Sequence, residues 1–214
     1  MAAAIQEGLK TQTRRIVRSP IDFLGAGGRN GPEWDDPKCW GWEDPDNPGY
    51  FGVLSRDPGP DQWSIKCPYG KPGDRLLLLT TWATEAKYDD RKPTELPARC
   101  RLWSYFDGPN IPRWCGKLRP GRFAPRHLRE RLPTAVIANI DVERLQKINH
   151  TGALAEGIRE ADWKDRPIWL RDKNMPMSVL AYSYLWDQVN GCGAWDRNDF
   201  VWVVQFQSTI KATA

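Results

Sequence analysis

The residues with the greatest chemical capacity lie close to the N-terminus, in Gly8-Leu9-Lys10-Thr11-Gln12-Thr13-Arg14-Arg15. Lys10 and Thr13 are three positions apart, so on a tight turn an amine and a hydroxyl point the same way. A lysine buried beside Arg14 or Arg15 loses proton affinity, because burial and like charge both oppose the ammonium form. Its neutral amine is then a base or nucleophile, or it primes the threonine hydroxyl. On an open surface the same run is a solvated basic turn, the commoner fate of a charge run. Spacing alone leaves both readings open.

A second concentration of charge spans residues 113–131. Arg113, Lys117, Arg119, Arg122, Arg126, Arg129 and Arg131 face one acid, Glu130, for a local balance of +6 against +4 for the whole chain. The rest of the chain is therefore slightly acidic. Arginine pairs phosphates bidentately and stacks on bases. The neighbouring Trp103, Tyr105, Trp114 and Phe123 supply the interleaved aromatics of single-strand binders. The chain holds 12 tryptophans, and the ordinary use of a tryptophan is packing.

Several elements must position these groups. Residues 2–9 read as a short helix stopped by Gly8. Residues 20–60 hold seven Pro and eight Gly among scattered aromatics and show no helical or strand period, which predicts a long loop or insertion. Cys67–Asp74 is a turn signal that launches a buried strand over Arg75–Ala83. Residues 84–112 are irregular, with short strands near Arg99–Tyr105. Thr134–Leu145 alternates, with Val136, Ala138, Ile140 and Val142 on one face and Asn139, Asp141 and Glu143 on the other. Asn149 or Thr151 caps a helix running to Glu160. Ser178 opens a second helix that presents Val179, Tyr182, Trp186 and Val189 on one face and stops at Gly191. Val201–Gln207 is a last strand. A majority of strands with helices at the ends fits an α+β barrel better than a doubly wound parallel sheet.

The Gly8–Arg15 run resembles the signature of the ASCH family, and more closely that of a phage-encoded branch of it. The same branch pattern is similar to Cys67-Pro68-Tyr69-Gly70, Gly73-Asp74-Arg75, Trp82, the Arg119–Arg126 segment, Arg144-Leu145-Gln146, Ala153–Ile158, Leu185-Trp186, Asn190-Gly191 and Val201–Phe206. Leu79-Thr80-Thr81-Trp82 departs from the branch's Arg-Glu-Thr-Trp. The resemblance implies one PUA-like (ASCH) mixed β-barrel over residues 1–214, flanked by short helices, with insertions at about 19–66 and 84–112. It implies binding of RNA, single-stranded nucleic acid or a modified nucleoside. One branch of the family removes an acyl group from modified cytidine; its catalytic set falls on Lys10, Thr13 and Glu156. In that chemistry Thr13 or its water attacks, Lys10 takes the proton, and Glu156 orients the lysine or protonates the leaving amine. Other relatives are ribonucleases.

The resulting expectation is an RNA- or nucleoside-recognising protein, with amide hydrolysis of acylated cytidine or another modified pyrimidine as its chemistry. Phosphate contacts fall to Arg14, Arg15, Lys117, Arg119, Arg122, Arg126 and Arg129, and base stacking to Trp82, Trp114 and Phe123. The alternatives are a non-catalytic phage interaction or counter-defence protein that binds a host protein or nucleic-acid complex, with residues 20–60 as its contact, and a ribonuclease. Neither a membrane segment nor a secretory signal is visible, so a cytoplasmic protein is expected, in a bacterial host where the phage-branch resemblance applies. Five cysteines without a Cys-x-x-Cys pair favour reduced thiols and no metal. His127 and His150 have no closely spaced ligand partners. No phosphate-cradling glycine motif is present, so no cofactor is expected.

Overall fold

The computed structural model describes residues 2–18, 40–43, 46–53, 63–108, 110–159 and 175–209. In chain order the elements are α1 (Ala2–Gln6), β1 (Gln12–Ile16), β2 (Trp40–Glu43), β3 (Tyr50–Val53), β4 (Trp63–Lys66), β5 (Arg75–Leu77), β6 (Trp82–Ala83), β7 (Trp103–Ser104), α2 (Arg126–Arg129), β8 (Thr134–Arg144), α3 (His150–Ala155), α4 (Met177–Asn190) and β9 (Phe200–Ser208). The architecture is mixed α+β, with short helices and a curled antiparallel sheet compatible with a barrel-like fold. Among the described residues no helix is long and apolar enough to cross a membrane.

The chain separates into two compact units. The first unit comprises residues 1–8, 75–136 and 208–214; the second comprises 9–74 and 137–207. β8 runs through both. Its first three residues pair with β5 in the first unit, Val136 opposite Arg75 and Thr134 opposite Leu77. Each unit has its own apolar core.

In the first unit Trp82, Leu96, Cys100, Ala124, Leu128 and Leu132 pack together. Trp82 is 0% exposed, and its indole N–H donates to the Pro120 carbonyl at 3.2 Å. It is a core residue with no face left for a base, which corrects the stacking role expected of it. Arg119 is buried too. Its Nη2 donates to the carbonyls of Tyr88, Asp89 and Arg91 at 3.2, 3.3 and 3.1 Å, and its guanidinium lies 5.8 Å from the Trp82 ring. A buried guanidinium whose Nη2 is held by three carbonyls pins a turn rather than presenting its fork to a phosphate. The expected single strand over 75–83 breaks into β5 and β6.

In the second unit β1 pairs antiparallel with β9: Gln12 with Gln205, Thr13 with Val204, Arg14 with Val203 and Arg15 with Trp202. Helices α3 and α4 bury Ala153, Val179, Tyr182 and Trp186 with Val201 and Val203. A second antiparallel sheet, β2-β3-β4, falls partly inside the stretch read as an aperiodic loop. Glycine and proline had hidden its short strands. Phe51 of β3 meets Trp202 edge to face at 5.1 Å between centroids. The insertion's remaining residues, 19–39, 44–45 and 54–62, lie outside the described residues, so the expectation of a host-protein contact there is not addressed.

Two further expectations are corrected. The alternation of β8 changes phase: Ala135 and Ile137 are buried at its start, then Ile140 and Arg144. Val136 therefore does not share the buried phase. Val189 of α4 is 69% exposed, because the apolar stripe through Val179, Tyr182 and Trp186 ends one turn before the helix does.

Candidate functional site

Lys10 sits in extended backbone immediately before β1 and forms an isolated antiparallel bridge with Glu156. Two local features bring them together. Asn149 caps α3, its Oδ1 accepting from the Gly152 N–H at 2.8 Å. The helix then ends at Glu156, and Gly157, with φ of +90°, turns the chain away in a conformation that suits glycine. The Thr11 N–H donates to the Ala155 carbonyl at 2.9 Å and the Phe206 N–H to the Thr11 carbonyl at 2.8 Å. The start of β1 is thereby fastened to the end of α3 on one side and to β9 on the other.

Lys10 is 6% exposed and Glu156 7%. The Lys10 ammonium donates to Glu156 Oε2 at 2.9 Å and to the Glu156 backbone carbonyl at 2.7 Å. Burial pushes the Lys10 amine below its ordinary value. Glu156 opposes that shift, and the charges of Arg15 and Arg14 add to it. This direction and these causes are the ones expected of a lysine buried beside Arg14 and Arg15; the carboxylate partner is implied only by the family resemblance.

Arg14 extends the cluster. Its Nη1 reaches Glu156 Oε1 at 3.4 Å, while Nη2 and Nε donate to Glu143 Oε1 at 2.6 and 3.1 Å. Two cations and two carboxylates thus form a charge-balanced chain, Lys10–Glu156–Arg14–Glu143. Buried charges persist only when paired and hydrogen-bonded in this way. Arg14 is consumed by carboxylates, which corrects its assignment as a phosphate ligand. Arg15 is exposed on the other face of β1 and donates to the Arg14 carbonyl at 3.1 Å.

Thr13 is not brought to Lys10. The segment is extended rather than a tight turn, so side chains alternate: Lys10, Gln12 and Arg14 are buried on one face, and Thr13 and Arg15 take the other. Across β1 and β9, Thr13 lies opposite Val204 and Arg15 opposite Trp202. A spacing of three converges on a turn and diverges on a strand.

A cavity of about 600 Å³ opens beside the charge chain, entirely within the second unit. Thr11, Gln12 and Arg14 of the β1 segment line it, with Asp141 and Glu143 of β8, Asn149 and Gly152 at the start of α3, and Gln205 of β9. Lys10 and Glu156 lie behind this wall, next in sequence to Thr11 and Ala155, which belong to it. The lining holds one guanidinium against two carboxylates, so its charge balance is −1. Gly152 leaves room for the guanidinium: a Cβ there would stand 3.3 Å from Arg14 Nη2.

A scan against protein-family models finds no match, and a search of curated proteins and of solved structures finds none either. The site is therefore read from its own geometry.

The remaining candidates belong to the first unit. Lys117, Arg122, Arg126 and Arg129 are exposed, although Arg129 Nε already donates to the Ala124 carbonyl at 2.8 Å. Phe123 is exposed with the Arg122 guanidinium 4.8 Å from its ring, and Trp114 is half-buried beneath Arg101 at 5.4 Å. His150 Nδ1 lies 2.8 Å from Ser178 Oγ. Cys67, Cys100, Cys115 and Cys192 are free thiols; Cys39 lies outside the described residues. Among the described residues no group of three or more His, Cys, Asp or Glu converges as metal ligands do.

The sequence reading missed Gln12, Asp141 and Glu143. The alternation of β8 did show two acids on one face, and that face was the available signal. It was read as solvent rather than as a cavity wall.

Proposed function

We propose that the second unit recognises a nucleoside, held in the polar cavity between β1, β8, β9 and the start of α3. The observation that carries this reading is the lining itself. Its volume falls within the range of small-molecule sites. Its charge balance of −1 disfavours a phosphate group, and its carboxamides, carboxylates and hydroxyls suit a neutral ligand dense in donors and acceptors. The ion-paired chain beneath holds the polar wall rigid, as a selective site requires. This is also where the ASCH resemblance leads: a PUA-like fold that binds a modified nucleoside.

A second reading, hydrolysis of an acyl amide on a modified pyrimidine, is favoured by the depressed Lys10 amine. In this scheme the Lys10 amine, its proton affinity lowered by burial, takes a proton from the attacking water and returns it to the departing exocyclic nitrogen, with Glu156 orienting it; water must reach Lys10 past Thr11 and Ala155, since Lys10 does not itself line the cavity. Water is the nucleophile in this scheme, since Thr13 lies on the far face of β1. Incubation with N4-acylated cytidine tests it: release of cytidine that disappears in Lys10→Ala supports hydrolysis, and binding of the same compound without release supports recognition alone. Failure to bind cytidine or its acylated form removes both readings.

The exposed basic residues of the first unit support a separate contact with single-stranded RNA, through Lys117, Arg122 and Arg126, with Phe123 exposed beside Arg122.

A further inference from the structure

The seven basic residues of the 113–131 segment fall into two groups. Arg119, Arg129 and Arg131 are tied to backbone carbonyls; Arg131 Nη1, for one, donates to those of Ala98 and Cys100 at 3.0 and 2.8 Å. Arg113, Lys117, Arg122 and Arg126 are exposed, and no side chain of the four has a carboxylate partner among the described residues. The imbalance extends to the whole first unit. Residues 1–8, 75–136 and 208–214 hold 14 Lys and Arg against 7 Asp and Glu, a net charge of +7, where the full chain carries +4. A field of this sign draws a polyanion, and arginine suits phosphate.

Apolar surface lies among these cations. Phe123 is 52% exposed, with the Arg122 guanidinium 4.8 Å from its ring. Leu79 and Leu118 are exposed as well. Gly121 fixes the loop that carries Arg122 and Phe123 against the segment that carries Leu79. A Cβ at Gly121 would stand 2.7 Å from the Thr80 carbonyl oxygen and 2.9 Å from the Leu79 carbonyl carbon. A duplex would satisfy the cations and leave Phe123 in water, because its bases are stacked on one another. A single strand offers both its phosphates and the flat face of a base.

We propose that the first unit binds single-stranded nucleic acid in preference to a duplex, stacking an unpaired base on Phe123 and holding phosphates with Arg113, Lys117, Arg122 and Arg126. This rests on the RNA contact read for the first unit and adds its strandedness and its base contact; it is independent of the nucleoside cavity. Phosphates and base faces are common to RNA and DNA, so a strand of either kind is expected to bind.

Fluorescence anisotropy of the full chain with oligouridylate, oligodeoxythymidylate and an RNA duplex of equal length tests this, with polyglutamate as a competitor. Both single strands are expected to bind about tenfold more tightly than the duplex, the scale of one base–aromatic stack. Phe123→Leu keeps an apolar side chain and removes the ring. It is expected to abolish the preference at an unchanged melting temperature, while Phe123→Trp retains it. Arg113→Gln and Arg126→Gln are each expected to flatten the log–log salt dependence of single-strand binding by roughly 0.7, the share of one phosphate. If the wild type binds strand and duplex alike, or Phe123→Leu keeps the preference, this proposal is overturned and the RNA contact stands. If no nucleic acid binds, or polyglutamate displaces the strand as well as an equal charge of oligouridylate does, the surface takes no nucleic acid specifically and both fall together.

Discussion

The Lys10 ammonium is gripped twice by one residue 146 positions away: 2.9 Å from the Glu156 carboxylate and 2.7 Å from the Glu156 backbone carbonyl. The second contact places the cation at the C-terminus of α3, where unpaired carbonyls favour positive charge. Lys10 therefore secures the end of the helix that carries its own counter-ion, and stability and chemistry meet in one pair.

Removing the carboxylate should expose that dependence. Glu156→Gln leaves Lys10 and one arm of Arg14 buried without their counter-charge. An expected loss of roughly 3 kcal/mol in unfolding free energy follows from the usual consequence of breaking a buried ion pair. Urea denaturation measures it. A loss within experimental error would mean that water reaches the pair freely.

Stability should also depend on pH through Lys10. Burial, partly opposed by Glu156, holds its folded value below the ordinary 10.5. The unfolded chain therefore binds this proton more tightly, and between the two values unfolding takes up a proton. Stability contributed through Lys10 rises with pH across that window and levels off above 10.5. The difference in urea midpoint between wild type and Lys10→Met, followed upward from neutral pH, is expected to move in the wild type's favour. A movement the other way contradicts the assignment.

Gly152 should matter to the ligand more than to the fold. A Cβ there would lie 3.2 Å from Ile148 Cγ1 and 3.3 Å from both Arg14 Nη2 and Asn149 Oδ1, so these neighbours, the guanidinium among them, must give by a few tenths of an ångström. Helix propensity runs the opposite way, favouring alanine by about 1 kcal/mol. Gly152→Ala is expected to weaken nucleoside binding with little change in melting temperature. Unchanged binding would show that the position of Arg14 is not what shapes the wall.

The basic segment should divide into two kinds of arginine. Arg119→Ala frees three carbonyls and the face of Trp82, and is expected to destabilise the protein by about 2–3 kcal/mol. Arg122→Ala and Arg126→Ala are expected to leave stability alone, weaken RNA binding and flatten its salt dependence. Equal effects of all three on RNA affinity, with no difference in stability, would refute the division.

The parts of the fold legible in the sequence were those whose signal is local. Asn149 announced a cap, Gly191 a helix stop, and the valine-rich C-terminal run a strand, because each depends on a few neighbouring residues. Thr13 was misplaced for the same reason: its orientation depends on whether residues 10–13 turn or extend, and that is decided by the pairing of β1 with β9, far along the chain. Glu143 escaped notice because a charged residue on an alternating strand looks identical whether it faces water or a buried guanidinium. Glu156 was reached by resemblance, and no spacing argument leads to it. The short strands β2 and β3 were masked by glycine and proline, whose turn signals outweighed four-residue runs. Trp82 was mistaken for a platform although its apolar surroundings in sequence favour the core.

On the nucleoside reading, the cavity of the second unit takes a neutral nucleoside and excludes its phosphate. Calorimetric titration with cytidine and with cytidine 5′-monophosphate, each at low and high salt, decides this. Cytidine is expected to bind the more tightly, with an affinity that barely changes with salt and is lost in Arg14→Met. Tighter binding of the monophosphate, weakening steeply as salt rises, would contradict it.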